Sequence, residues 1–93
     1  MATINKTFQT SASAMEMRHY IDTKILPQAA LKPLLEKVSW SENTLYINSK
    51  LGDGHIILRD NEVEIFIELT LFGSMAKKTL ESAIDKEFKQ LKS

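Results

Sequence analysis

The segment from His55 to Leu69 leaves this chain little freedom. Two apolar runs of period two, Ile56 and Leu58 and then Val63, Ile65, Ile67 and Leu69, flank the dipeptide Asp60-Asn61. Side chains along a strand alternate between faces, and a two-residue Asp/Asn turn tolerates left-handed backbone. Counting outward from that turn pairs Arg59 with Glu62, Leu58 with Val63, Ile57 with Glu64, Ile56 with Ile65 and His55 with Phe66. All six aliphatic residues then share one face, and a slip of one residue would bury Glu64 and Glu68 instead. An antiparallel hairpin with one apolar face needs a second layer to cover it.

The flanking sequence supplies that layer. Thr3 to Gln9 alternates, with Ile4, Lys6 and Phe8 on one side, and reads as a first strand. Ser13-Ala14-Met15-Glu16 has capping-box spacing, so a helix begins near Ala14 with Ala14, Met17, Ile21 and Ile25 as its apolar stripe and Tyr20 alongside. Pro27 ends or kinks it, and a second, bent helical piece is expected from Gln28 to Lys37, interrupted by Pro33. A turn at Ser41-Glu42-Asn43 leads into a strand over Leu45 to Asn48. Leu51-Gly52-Asp53-Gly54 reads as a loop whose glycines are free to take positive φ, before strands over His55–Arg59 and Glu62–Leu71. Phe72-Gly73-Ser74 breaks the pattern, and Ser74 caps a final helix from Met75 to about Leu91 with Ala76, Leu80, Ala83, Ile84, Phe88 and Leu91 as its stripe. The expected fold is α+β: one domain over residues 1–93, in the order β-α-α-β-β-β-α, with helices on one face of a four-stranded antiparallel sheet.

Composition narrows the function. The 93 residues hold no cysteine, and 12 basic side chains balance 12 acidic ones. A general nucleic-acid or polybasic membrane binder needs a basic excess. No apolar run approaches the ~20 residues of a spanning helix, and Met1 to Thr10 has no secretory pattern, so a reducing cytoplasm is the expected setting. The charge is unevenly placed. Residues 1–41 carry five bases and three acids, residues 42–68 two and six, and residues 69–93 five and three. Tyr46, His55 and Phe66 on the outer sheet face are the residue types of a base-stacking platform, but the acidic field of residues 42–68 repels phosphate and excludes nucleic acid.

Catalytic chemistry has no supporting signal. His19 and His55 fall in different elements, Asp53 beside His55 reads as a loop aspartate before a strand histidine, and no nucleophile, phosphate or dinucleotide motif is present. No catalytic residue, cofactor site or metal site is assigned. Tyr46, Ile57 and Phe66 form a candidate interaction patch inside an acidic rim, suited to a protein contact or a homodimer seam. Met15, Met17 and Met75 sit at helix starts and read as core fillers or as an adaptable apolar lining, and Trp40 as a core-edge anchor.

The element order is also that of a helix-grip fold, reduced here to four strands, in which a long helix lies across a curved sheet. The resemblance implies a candidate apolar ligand face, with Leu80, Ile84 and Phe88 opposite Ile56, Leu58, Ile65 and Ile67. The C-terminal part resembles the polyhydroxyalkanoic acid system (granule-region) family of small bacterial proteins. The residues concerned are Ser39-Trp40-Ser41-Glu42-Asn43-Thr44-Leu45, Gly54 to Leu58, Asp60 to Ile65, Glu68-Leu69, Phe72 to Ala76 and Thr79 to Phe88. The N-terminal third departs, since Pro27 and Pro33 interrupt a region where that family runs one longer helix. The resemblance implies a small cytoplasmic bacterial protein that accompanies polyester storage granules, without an established catalytic activity. The expectation is a non-enzymatic protein, monomer or homodimer, that contacts a storage granule, a lipid-like ligand or a protein partner.

Overall fold

A computed structural model describes residues 2–29 and 31–89. Five antiparallel strands form one sheet in the order β1-β5-β4-β3-β2: β1 Thr3–Gln9, β2 Lys37–Ser41, β3 Thr44–Asn48, β4 Gly52–Arg59 and β5 Glu62–Leu69. The helices are α1 Ala14–Tyr20, continued by a π-helical turn over Ile21–Ile25, α2 Leu71–Met75 and α3 Lys77–Lys89. The class is α+β with a single antiparallel sheet, as expected, but the sheet has five strands rather than four and a strand stands in place of the end of the second helix.

The β4–β5 hairpin has the register that alternation demands, from Arg59 opposite Glu62 to His55 opposite Phe66. Asn61 takes the left-handed conformation in its turn, with φ 67°. The capping box at Ser13 forms: the Glu16 amide donates to Ser13 Oγ at 3.2 Å and the Ser13 amide to Glu16 Oε1 at 3.1 Å.

The fifth strand is β2, which lies where a helix was expected to reach Lys37. Beyond Ile25 the chain makes turns, with Lys32 donating to the Gln28 carbonyl and Leu35 to the Leu31 carbonyl. Pro33 has no N–H to continue that ladder, so the turns do not propagate into a helix. Val38 and Trp40 then alternate with Lys37, Ser39 and Ser41, and the segment pairs with β3 through a two-residue turn at Glu42-Asn43.

Two further boundaries move. Gly52 to Gly54 belongs to β4, and no glycine adopts a positive φ. Close approach is the reason for Gly54: a Cβ there would lie 2.2 Å from the Phe66 carbonyl oxygen of β5. At the end of β5, Thr70 rather than Ser74 caps the next helix, and Leu71 and Phe72 are helical rather than strand and break. The expected end of the last helix at Leu91 lies outside the described residues.

One face of the sheet is covered. Ile4, Leu45, Ile47, Ile56, Leu58, Val63, Ile65, Ile67 and Leu69 are buried against Met17, Ile21, Ile25, Leu31, Leu34, Leu80, Ile84 and Phe88. Phe8 and Phe88 stack with ring centroids 5.5 Å apart, and the Tyr20 hydroxyl donates to the Glu87 carbonyl at 3.0 Å, tying α1 to α3. Lys6 points inward on the edge strand β1 and meets Asp85 of α3 at 2.9 Å, an inward charge of the kind that discourages edge-to-edge pairing.

Candidate functional site

The seven residues of the candidate ligand face do come together, but as a packed interior. Leu80, Ile84, Phe88, Ile56, Leu58, Ile65 and Ile67 are each at most 4% exposed. The space among Ile56, Ile65, Ile67, Ile84, Phe88 and their neighbours from residues 25–47 amounts to about 10 Å³. That is at most the room of one water molecule, against the ~300 Å³ or more of a small-ligand pocket. These side chains hold the sheet and α3 together.

Apolar surface lies elsewhere, at the end of the sheet where β5 runs into α2. Leu71, Phe72 and Met75 are 77%, 72% and 87% exposed. Three further observations show that this short helix is fastened down. The Thr70 side chain accepts from the Gly73 amide and donates to the Lys50 carbonyl at 2.7 Å, while its amide donates to the Leu51 carbonyl at 2.9 Å. Ser74 Oγ accepts from the Ala2 amide at 3.2 Å. Gly73 is buried so tightly that a Cβ would fall 1.8 Å from the Leu51 oxygen. The backbone of α2 is therefore held against the start of β4, and the three large side chains are presented outward at fixed positions. With Lys50 and Leu51, Leu71 and Phe72 line an open, almost wholly apolar concavity.

The sequence contained a signal for this surface. Leu71 and Phe72 are adjacent and both large, so a strand cannot turn both inward. Met75 belongs to the same knob, and Met15 is 81% exposed on α1; only Met17 of the three helix-start methionines is core. Lys50 and Lys78 are exposed and Lys77 half-buried, and none of the three makes an ion pair among the described residues.

The other predicted patch lies on the uncovered sheet face. Tyr46, His55 and Phe66 occupy one cross-strand row, with Ile57 in the next. Tyr46 and His55 have centroids 6.4 Å apart, and His55 and Phe66 stack at 5.7 Å. Tyr46 is 50% exposed, and His55, Ile57 and Phe66 are half-buried. Trp40 sits at the opposite, inner side of the β2 edge. Its Nε1 donates to Asp22 Oδ1 at 2.9 Å, and the Arg18 guanidinium lies 4.6 Å from the ring centre while donating to the Glu42 carbonyl.

Among the described residues no group of three or more histidine or carboxylate side chains is placed to hold a metal ion, and no helix is long and apolar enough to cross a membrane. His19 is exposed on α1 and His55 is on β4. No protein-family model, no curated protein and no solved structure matches this chain.

Proposed function

We propose that this chain is a non-catalytic binding module that attaches to an apolar surface through the α2 knob. The single observation that carries the reading is the outward presentation of Leu71, Phe72 and Met75 on a helix whose backbone is pinned by Thr70, Gly73 and Ser74. Burying each such side chain contributes about 1.5–3 kcal/mol. Three together supply roughly 5–8 kcal/mol before the cost of association, enough for reversible attachment. The filled interior supports an external contact over an enclosed lipid-like ligand.

The resemblance of the C-terminal part to polyhydroxyalkanoic acid system proteins gives the surface a natural identity, a polyester storage granule in the bacterial cytoplasm. The test is co-sedimentation with poly(3-hydroxybutyrate) particles. The chain is expected in the pellet, and a variant carrying Leu71→Ser, Phe72→Ser and Met75→Ser in the supernatant with an unchanged circular dichroism spectrum. Equal sedimentation of the two folded proteins would end the proposal.

A further inference from the structure

The uncovered sheet face carries a second, independent set of observations. In its central row Tyr46, His55 and Phe66 lie side by side across β3, β4 and β5, a strip spanning about 10 Å at ordinary strand spacing. The adjoining row places Asp53 of β4 directly opposite Glu68 of β5. Like charges facing each other across a ladder destabilise a sheet. Neither carboxylate makes an ion pair among the described residues, and both are exposed. On the other side of the aromatic strip Arg59 does not offset them, because it already bonds Glu64 at 2.7 Å and Glu62 at 3.1 Å. The guanidinium is held in its charged form by the Glu64 hydrogen bond first and by the Glu64 charge second. This face carries Lys37 and Arg59 against Asp53, Glu62, Glu64 and Glu68, a net charge of −2.

We infer that this face is a docking surface for an arginine-bearing extended segment of a partner protein. Aromatic faces attract a guanidinium, and an adjacent carboxylate pair supplies the counter-charge that a simple apolar patch lacks. The fold already shows the aromatic half of this contact within itself, where Arg18 lies over Trp40 while donating to the Glu42 main-chain carbonyl. A second copy of the chain is a poorer occupant, since two faces of net charge −2 repel. Nucleic acid is repelled for the same reason. An extended partner with arginine at alternate positions sets one guanidinium on the Tyr46–Phe66 strip and the next, about 7 Å along, at the Asp53–Glu68 pair.

The probe is an acetylated and amidated octapeptide of alternating glycine and arginine, titrated into the ¹⁵N-labelled chain, with the glycine–glutamate octapeptide as control. Amide shifts are expected at Tyr46, Asp53, His55, Phe66 and Glu68 with the arginine peptide alone. Tyr46→Ser leaves charge unchanged at a half-exposed site and is expected to weaken binding about threefold. Asp53→Asn with Glu68→Gln is expected to weaken it by at least a similar factor, and Leu71→Ser with Phe72→Ser to leave it unaltered, separating this face from the α2 knob. Absence of binding overturns the inference. So does binding that responds to the carboxylate changes but not to Tyr46→Ser, which is unspecific charge attraction. Sedimentation showing a homodimer that Tyr46→Ser dissociates assigns the face to a second copy and overturns it as well.

Discussion

Gly73→Ala separates two physical effects by the sign of its outcome. Gly73 lies in α2 with no positive φ, so alanine faces no backbone penalty there. If intrinsic helix propensity decided the result, the substitution would stabilise the protein by about 0.8–1 kcal/mol. Packing predicts the opposite. The added Cβ would sit 1.8 Å from the Leu51 carbonyl oxygen and 2.8 Å from its carbon, and these are backbone atoms that cannot rotate aside. Restoring ordinary contact requires α2 to lift by about 1.5 Å. That movement stretches the bonds from the Thr70 amide to the Leu51 carbonyl and from the Thr70 hydroxyl to the Lys50 carbonyl, at about 1 kcal/mol each. Less the propensity gain, and with residual overpacking, the net destabilisation is about 2 kcal/mol. For a domain of this size that is a fall in Tm of roughly 8–16 °C. Thermal unfolding followed by circular dichroism reads it, with urea titration to check that the m-value is unchanged. Met75→Ala, at a side chain 87% exposed, is the control and is expected to stay within about 0.5 kcal/mol of the parent. A Tm for Gly73→Ala equal to or above the parent would refute the close-packed seat and, with it, the fixed presentation of the knob.

Three other substitutions probe the frame. Phe88→Ala removes a side chain 1% exposed that stacks on Phe8, and is expected to cost about 3–5 kcal/mol in urea unfolding. Glu42→Gly relieves a non-glycine residue at φ 56° in the β2–β3 turn, and a gain of about 0.5–1 kcal/mol is expected; a lower Tm would show that the Glu42 conformation is not strained. Tyr20→Phe deletes the hydroxyl that donates to Glu87 and is expected to cost about 1 kcal/mol at neutral pH. Burial first and the Glu87 charge second raise the Tyr20 pKa above 10.0. The stability tied to its protonated form is therefore complete below pH 10 and lost as pH rises through the folded value, so the parent's alkaline decline should be shallower in Tyr20→Phe.

The part of the fold governed by local periodicity and by groups close in the chain is legible in the order of residues alone. The hairpin register around Asp60-Asn61 followed from alternation because any slip would bury Glu64 and Glu68. The capping box at Ser13 and the buried stripe Leu80, Ile84 and Phe88 needed only residues within a turn or two of one another. Tyr46, Ile57 and Phe66 were placed on the outer face by the same counting.

The remaining features depend on partners distant in the chain. Lys37–Ser41 has just two apolar residues, and it is a strand because β3 offers it an open ladder edge that no local pattern announces. Gly54 and Gly73 serve close contacts with β5 and with Leu51, which are invisible as long as glycine is read only as freedom of φ. The ligand-face residues share a face as the pattern requires, but whether a cavity lies between two apolar layers is a matter of volume, and here the side chains leave about 10 Å³. The α2 knob is the clearest case. Leu71 and Phe72 continue an apolar run in sequence, and only the Thr70 cap, bonded to Lys50 and Leu51 some twenty residues earlier, turns them out toward solvent.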